Sequence, residues 1–265
     1  AAAYLSVRSA VNFVKEAIAA SNEAQNINTQ LAVTLKNSGN GQDAYDQLTA
    51  AATKYGMYTQ TAMTAAAAEF ATYVSDSDAV ESLMGTLTNY MAGMSGGGAL
   101  DTQQVVDYAT QLAKVLNGTF DGIAKKGFTV SDAQKQILQT GTDMEKAAVV
   151  ADIINESWGD LYAQMANTPE GRIITLNNSI SQMKENLGAS LTPTVMKLIT
   201  MVENNMPTIQ NLITSAGNVL EKIIPILVGI FNFAFQVANF FVKIWSWISP
   251  IVWAIVAALT AYKVI

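Results

Sequence analysis

The sequence predicts an all-α protein in which helical segments alternate with short turns containing Gly or Pro and are followed by long hydrophobic helices. Along most of the 265 residues, apolar side chains recur at intervals of three and four, which places them on one face of a helix. Near the end, two runs without a charged residue span residues 223–242 and 244–262. At about 1.5 Å per residue, each run has the length of a helix that crosses a bilayer core.

The composition excludes several kinds of functional site. The chain has no Cys and no His, so it cannot form disulfides, thiolate zinc sites, Cys nucleophiles or Ser-His arrangements. Its net charge is −6, and no basic stretch predicts a specific nucleic-acid site. The sequence contains no phosphate-binding loop and no dinucleotide fingerprint. We therefore expect no catalytic residue, no cofactor and no metal.

Both ends of the sequence indicate that a longer chain was cut there. Residues 1–4 include no initiator Met, and no signal-peptide pattern follows them. Residues 262–265 end inside an apolar run. We expect the chain to be a section of a longer protein.

Turn and cap signals divide the predicted helices. The Ser-Gly-Asn-Gly sequence at residues 38–41 predicts the end of the first helix, and the Ser-Gly-Gly-Gly sequence at residues 95–98 predicts a loop. Asp101 and Ser131 are each followed three residues later by Gln, which predicts a capping box at the start of a helix.

Two Thr-Pro pairs predict further helix starts, because the missing N–H of proline costs nothing in the first turn. Pro169 opens one helix and Pro193 a second, which the Asn-Asn-Met-Pro sequence at residues 204–207 interrupts. Narrow apolar stripes with 3-4 spacing suit packing between helices of identical chains. The candidate self-association residues are Ile173, Leu176, Ile180, Met183, Leu187, Ile209, Leu212, Ala216, Val219 and Ile223.

The first uncharged run carries one polar stripe. Asn232, Gln236 and Asn239 recur at spacings of four and three, so they share a helix face. This stripe predicts contact with a water-filled lumen or with a seam between partner helices. Two interpretations of residues 223–265 stay open: insertion into a membrane, or burial in an oligomer without contact with lipid.

Three patterns of polar residues favour structural roles over chemical ones. Asp152 and Glu156 lie four residues apart, which predicts a solvated helix face. Residues 75–78 lack the later Gly and Glu of a calcium-binding loop, so they predict an N-cap or a turn. Ser181 and Lys184 match a Ser-x-x-Lys pattern without its companion motifs.

The order of several short phrases between residues 72 and 193 carries a family resemblance. The phrases are Ser75-Asp76-Ser77-Asp78, Leu112-Ala113-Lys114-Val115-Leu116-Asn117-Gly118, Lys125-Lys126-Gly127-Phe128, Ala166-Asn167-Thr168-Pro169-Glu170-Gly171-Arg172, Met183-Lys184-Glu185-Asn186-Leu187-Gly188-Ala189 and Leu191-Thr192-Pro193. In this order, they resemble the conserved region of tail tape-measure proteins of long-tailed phages and related contractile particles. The resemblance covers about half of the chain.

The resemblance implies a non-enzymatic scaffold. Helical copies of such a protein run along the tail lumen, and tube subunits polymerise around them until the ruler ends. The expected partners are further copies of the chain (three copies as the first expectation), tail tube proteins, and tail tip or baseplate hub proteins. On ejection ahead of the DNA, the protein would meet the host cytoplasmic membrane and help to form a channel through it.

We expect four segments along the chain. They are an N-terminal helical segment (1–71), the conserved tape-measure region (72–168), amphipathic helices (169–222) and a membrane-grade hydrophobic segment (223–265). The alternative function is an independent membrane-inserting protein, either pore-forming or membrane-anchored. An enzyme that uses its carboxylates is a third, weaker class.

Overall fold

The structure is a computed structural model, which describes the backbone of residues 2–214 and the side chains of residues 12–197, 199–201 and 203–205. In this part of the chain all regular elements are helices, so the all-α prediction is confirmed there. The helices are α1 (Ala2–Asn37), α2 (Gln42–Ala52), α3 (Gln60–Phe70), α4 (Ser77–Ser95), α5 (Thr102–Leu116), α6 (Asp121–Ala124), α7 (Asp132–Thr140), α8 (Asp143–Trp158), α9 (Leu161–Ala166) and α10 (Pro169–Thr214).

The predicted hydrophobic helices within residues 223–265 lie outside the described residues. Between residues 2 and 214, no helix is both long enough and apolar enough to cross a membrane.

Contacts divide the chain into two units. The central unit comprises residues 22–185, and the terminal unit comprises residues 1–21 and 186–265. One apolar cluster runs through the central unit from Leu31 to Ile154. It includes residues on both sides of position 71, where the first segment boundary was expected.

Helix α4 lies in the middle of the core of the central unit. Its packing against α8, together with the packing of α3 against α5, is the most extensive in the described part of the chain. Leu83, Met84 and Leu87 of α4 are fully buried. Four consecutive alanines of α3, residues 65–68, are also buried, and such small side chains let a neighbouring helix approach closely.

The predicted turns at residues 38–41 and 95–98 and the predicted capping boxes at Asp101 and Ser131 are confirmed. Helix α1 ends before Gly39, and α4 ends before Gly96; both glycines have positive φ (83° and 64°), which L side chains rarely adopt. Asp101 and Ser131 form the predicted capping boxes. A third capping box, which we did not predict, opens α8 at Thr142.

Helix α10 contradicts the two breaks predicted from Pro193 and Pro207. It runs without interruption from Pro169 to Thr214, so the predictions of a new helix start and of a later interruption were wrong. A proline inside a helix removes one backbone hydrogen bond and costs about 3 kcal/mol. A long helix tolerates this cost while its other turns remain paired. The hydroxyl of Thr192 adds a bond in this region by donating to the carbonyl of Gly188 at 2.8 Å.

In the terminal unit, α1 and α10 approach closely at Gly188. A Cβ at this position would overlap the carbonyl oxygen of Ala17. Ala17 is fully buried, and Ser21, one turn further along α1, is nearly so. The absence of a side chain at Gly188 therefore sets the separation of the two helices.

A glycine also permits the contact between α4 and α8 in the central unit. A Cβ at Gly93 would overlap the ring of Trp158, whereas a Cβ at Gly85 would lie 3.4 Å from the Tyr55 hydroxyl, an ordinary contact.

We expect Gly93→Ala to lower the free energy of unfolding by about 1–3 kcal/mol because the indole must shift. Gly85→Ala, on the same helix, should be neutral or stabilising by up to about 1 kcal/mol, since Ala favours helix. Urea unfolding measures both, and equal effects would show that Gly93 is not in close contact with the Trp158 ring.

The first residue of α8 holds the loop between α3 and α4. The carboxylate of Asp143 accepts hydrogen bonds from the backbone N–H of Ser75 (2.7 Å), the hydroxyl of Ser75 (3.1 Å) and the backbone N–H of Asp76 (3.2 Å). Burial raises the pKa of Asp143, but these hydrogen bonds outweigh burial and leave its pKa below the ordinary value. Asp76 in turn caps α4, as predicted, by accepting from the N–H groups of Asp78 and Ala79.

The pKa of Asp143 gives a pH-dependent prediction. A carboxyl group whose pKa is lowered by folding stabilises the protein above its unfolded pKa of about 4, and the stabilisation is lost as the pH falls through the folded value. We expect Asp143→Asn to lower the free energy of unfolding by about 1 kcal/mol at pH 7. The difference in this free energy between the variant and the unchanged chain should disappear as the pH falls below about 4. Asp152→Asn, at an exposed position on the same helix, is the control and should have no effect. A loss of unfolding free energy that is the same at all pH values would show that the charge of the Asp143 carboxylate does not stabilise the fold.

Candidate interaction surface on helix α10

Helix α10 begins as predicted, with a cap from Thr168. The Thr168 hydroxyl accepts from the N–H of Gly171 at 3.0 Å and donates to the carbonyl of Met165 at 2.7 Å. A Cβ at Gly171 would overlap the same Met165 carbonyl oxygen. The first turn of α10 therefore packs tightly against the end of α9.

One face of α10, which we call the inner face, packs on the central unit. Ile174 is buried, with 7% of its surface exposed. A Cβ at Gly56 would lie 2.8 Å from the methyl group of Thr175, so the backbone approaches closely there. The amide of Asn178 donates to the carbonyl of Gly56 at 3.1 Å. The inner face thus uses mainly small and polar side chains.

The inner face ends in hydrogen bonds at Glu185. The Thr61 hydroxyl donates to one carboxylate oxygen of Glu185 at 2.7 Å. The Gln182 amide donates to the other at 3.0 Å. The Thr61 bond attaches α10 to α3, and the Gln182 bond, which lies within α10, orients the Glu185 carboxylate.

The opposite face of α10, which we call the outer face, carries the predicted apolar stripe. Ile173, Ile180 and Met183 have 39%, 43% and 43% of their surface exposed. Leu176 and Leu187 are half-buried. The structure therefore places the first five predicted self-association residues together, along one line of the helix.

The two faces lie on opposite sides of the helix. At 100° per residue, the inner-face residues Ile174, Asn178 and Glu185 fall within about 40° of one another. The centre of the outer-face stripe is about 180° away from the centre of the inner face. An apolar stripe on a globular domain normally faces the core of that domain. In α10 the apolar stripe faces away from the core.

The other predicted residues are described only in part or not at all. Helix α10 includes the backbone of Ile209 and Leu212, whose side chains lie outside the described residues. The described residues also leave out every atom of Ala216, Val219 and Ile223, and of Asn232, Gln236 and Asn239 in the polar stripe. Self-association through these residues, and a polar lumen or seam, stay predictions.

A tyrosine cluster supports the segment that leads into α10. The Tyr162 ring of α9 lies 6.0 Å from the Tyr55 ring and 5.8 Å from the Tyr58 ring, measured between centroids. The backbone N–H of Tyr162 donates to the side-chain oxygen of Asn89 at 3.0 Å. Burial, followed by the neighbouring Tyr162 and Tyr108, raises the pKa of Tyr58. These rings therefore stay neutral and act as packing groups at physiological pH.

A second aromatic group continues this support at the end of α8. The rings of Phe128 and Trp158 meet edge to face at 4.8 Å, and Tyr90 lies 5.9 Å from Trp158. Burial, followed by Tyr108, raises the pKa of Tyr90 to about 12. We did not predict either aromatic group. No local spacing indicates either group, because each brings together rings from residues distant in sequence.

The described residues also place the polar patterns considered for chemistry. Asp152 and Glu156 are both exposed, as predicted for a solvated face, and Ser181 is exposed. No group of three or more acidic side chains within the described ranges could hold a metal ion. Comparisons with protein-family models, with curated proteins and with solved structures found no match for this chain.

Two isoleucines six residues apart test the assignment of the faces. We expect Ile174→Asn, on the inner face, to destabilise the central unit by about 3 kcal/mol, because it buries an amide that has no hydrogen-bond partner. Ile180→Asn, on the outer face, should cost less than about 1 kcal/mol. Both are measured by urea unfolding at the lowest chain concentration that gives a signal, so that any association contributes little. Equal losses would show that the two faces are not distinct.

Proposed function

We propose that this chain is a section of a phage-type tail tape-measure protein, a non-enzymatic scaffold that sets tail length and takes part in tail assembly. The observation that supports this proposal most is α10, a continuous helix of 46 residues whose apolar stripe faces away from the unit that carries it. The family resemblance of residues 72–193 gives the proposal its specific content.

A molecular ruler needs a fixed length per residue, and a continuous helix supplies it. At about 1.5 Å per residue, α10 extends roughly 70 Å. Its passage through Pro193 and Pro207 without a break favours a rod over a chain of short helices. The short packed helices of the central unit suit a terminal section of a ruler, near the tail tip.

The proposed partners follow from the exposed surfaces and from the resemblance. Further copies of the chain would bind the outer face of α10. Tail tube proteins and tip or baseplate hub proteins would surround the assembled copies in the virion. On ejection, the uncharged runs of residues 223–265 would reach the host cytoplasmic membrane and help the DNA to cross it.

The length of assembled tails tests the ruler function. An in-frame deletion is made in a helical stretch of the same reading frame, outside residues 1–265, and tails are measured by electron microscopy. We expect tails to shorten by roughly 1.5 Å for each residue removed.

A matched replacement separates length from other effects of the deletion. The deleted stretch is replaced by an unrelated helical sequence with the same number of residues. This control should restore the original tail length. Tails of unchanged length after the deletion would rule out the ruler function.

The second candidate is an independent membrane-inserting protein, which the uncharged runs of residues 223–242 and 244–262 favour. Such a protein would act without tail proteins. Purified chain added to lipid vesicles would then release a trapped dye on its own. A reading frame flanked by tube and tip genes would instead favour the tape-measure function.

A further inference from the structure

The first half of α10 is attached to the rest of the central unit through few buried side chains. Between residues 169 and 185, the buried residues are Gly171 and Ile174. The main apolar cluster of the central unit, which extends from Leu31 to Ile154, includes no residue of this stretch. Because the burial of apolar surface is the main stabilising term in folding, this stretch is held less strongly than the helices of the core.

Hydrogen bonds supply much of the remaining attachment. The Asn178 amide donates to the carbonyl of Gly56 at 3.1 Å, and the Thr61 hydroxyl donates to the Glu185 carboxylate at 2.7 Å. Asn178 and Glu185 are only half-buried, so water can replace both bonds when the helix moves away. The net contribution of such bonds to stability is small for this reason. They therefore fix the position of the docked helix more than they strengthen its attachment.

Separation of this stretch does not require the helix to unfold. The backbone hydrogen bonds of an α-helix lie within the helix, so they persist when it leaves its neighbours. Ile173, Ile180 and Met183 are already exposed in the docked state. Separation therefore exposes little apolar surface beyond Ile174, and its cost is limited to the contacts of the inner face.

The turn between α9 and α10 marks the end of the part that would stay in place. Helix α9 packs against α4, and its Tyr162 ring lies among the rings of Tyr55 and Tyr58. Tyr162 also packs against the main apolar cluster. Residues 167–168 follow α9 and precede α10, so a change of backbone angles there can move α10 while α9 remains on the core.

We propose that residues 169–185 of α10 form a latch, which separates from the central unit as one helix while the core around α4 stays folded. Proteins open through such cooperative parts at free energies below that of global unfolding, and the parts with few buried apolar contacts open first. The latch is a property of the chain itself and does not depend on the ruler function. Under the proposed function, its opening would free α10 from the folded core during ejection.

Thiol labelling of the full chain, purified in detergent without denaturant, measures the opening directly, because the unchanged chain has no Cys. Ile174→Cys places a thiol on the inner face, where 7% of the side chain is exposed, and Leu87→Cys is the matched control in the fully buried core. Ile180→Cys, at an exposed position, gives the reaction rate of a free thiol. We expect the thiol at position 174 to react faster than the one at position 87 by a factor of at least about 100. Equal rates at positions 174 and 87 would overturn the proposal.

A second substitution shows whether the latch opens as one helix or only fluctuates near Ile174. Thr61→Val removes the bond to Glu185, which lies about three turns along α10 from Ile174. In a latch that opens as a unit, this loss should speed labelling at position 174 by about tenfold. Thr110→Val removes a similar bond, from the Thr110 hydroxyl to the Glu69 carboxylate at 2.8 Å, and should leave the labelling rate unchanged. No effect of Thr61→Val, or equal effects of both substitutions, would overturn the proposal.

Discussion

The described structure depends on the way α10 is attached. Removing apolar surface from water is the main stabilising term in folding, at roughly 25 cal/mol per Å². A helix with one apolar stripe therefore normally turns that stripe toward its own domain. In α10 the attachment instead uses Ile174, the close approach at Gly56 and the hydrogen bonds of Asn178 and Glu185. Because these contacts fix the rotation of the helix about its axis, the apolar stripe has to face outward.

The rigidity of this attachment comes from contacts that leave little room. The rings of Trp158 and Tyr162 flank the turn between α8 and α9, where Asp160 adopts a positive φ of 61°. Trp158 packs over Gly93, and Gly171 lies directly on the backbone of α9. Close packing of this kind transmits small displacements, because interiors contain few voids that could absorb them. The first turn of α10 is thus linked through α9 to the core around α4.

The sequence predicted features that depend on neighbouring residues and missed those that depend on the whole fold. The turn at Gly39 and the capping box at Asp101 were predictable, since each is decided within a few residues. The continuity of α10 through Pro193 was not, because a proline's local cost of about 3 kcal/mol must be compared with the stability of a long helix. The stripe from Ile173 was predictable from its spacing alone. Its orientation was not, because periodicity shows that a face exists and not which surface it meets. The aromatic packing of Trp158 joins residues distant in sequence and left no local signal.

The width of the outer face distinguishes between a protein partner and a lipid surface. A helix that lies on a membrane has a broad apolar face bordered by Lys and Arg, which bind anionic headgroups. The stripe that begins at Ile173 is narrow, with 3-4 spacing, and Arg172, Asn177, Ser179 and Lys184 border it. Its narrow width leaves little apolar surface to enter a bilayer, whereas a second helix could cover it. The outer face of α10 is therefore better suited to a protein partner than to a lipid surface. Under the proposed function, this face would act in assembly and the uncharged runs of residues 223–265 in delivery.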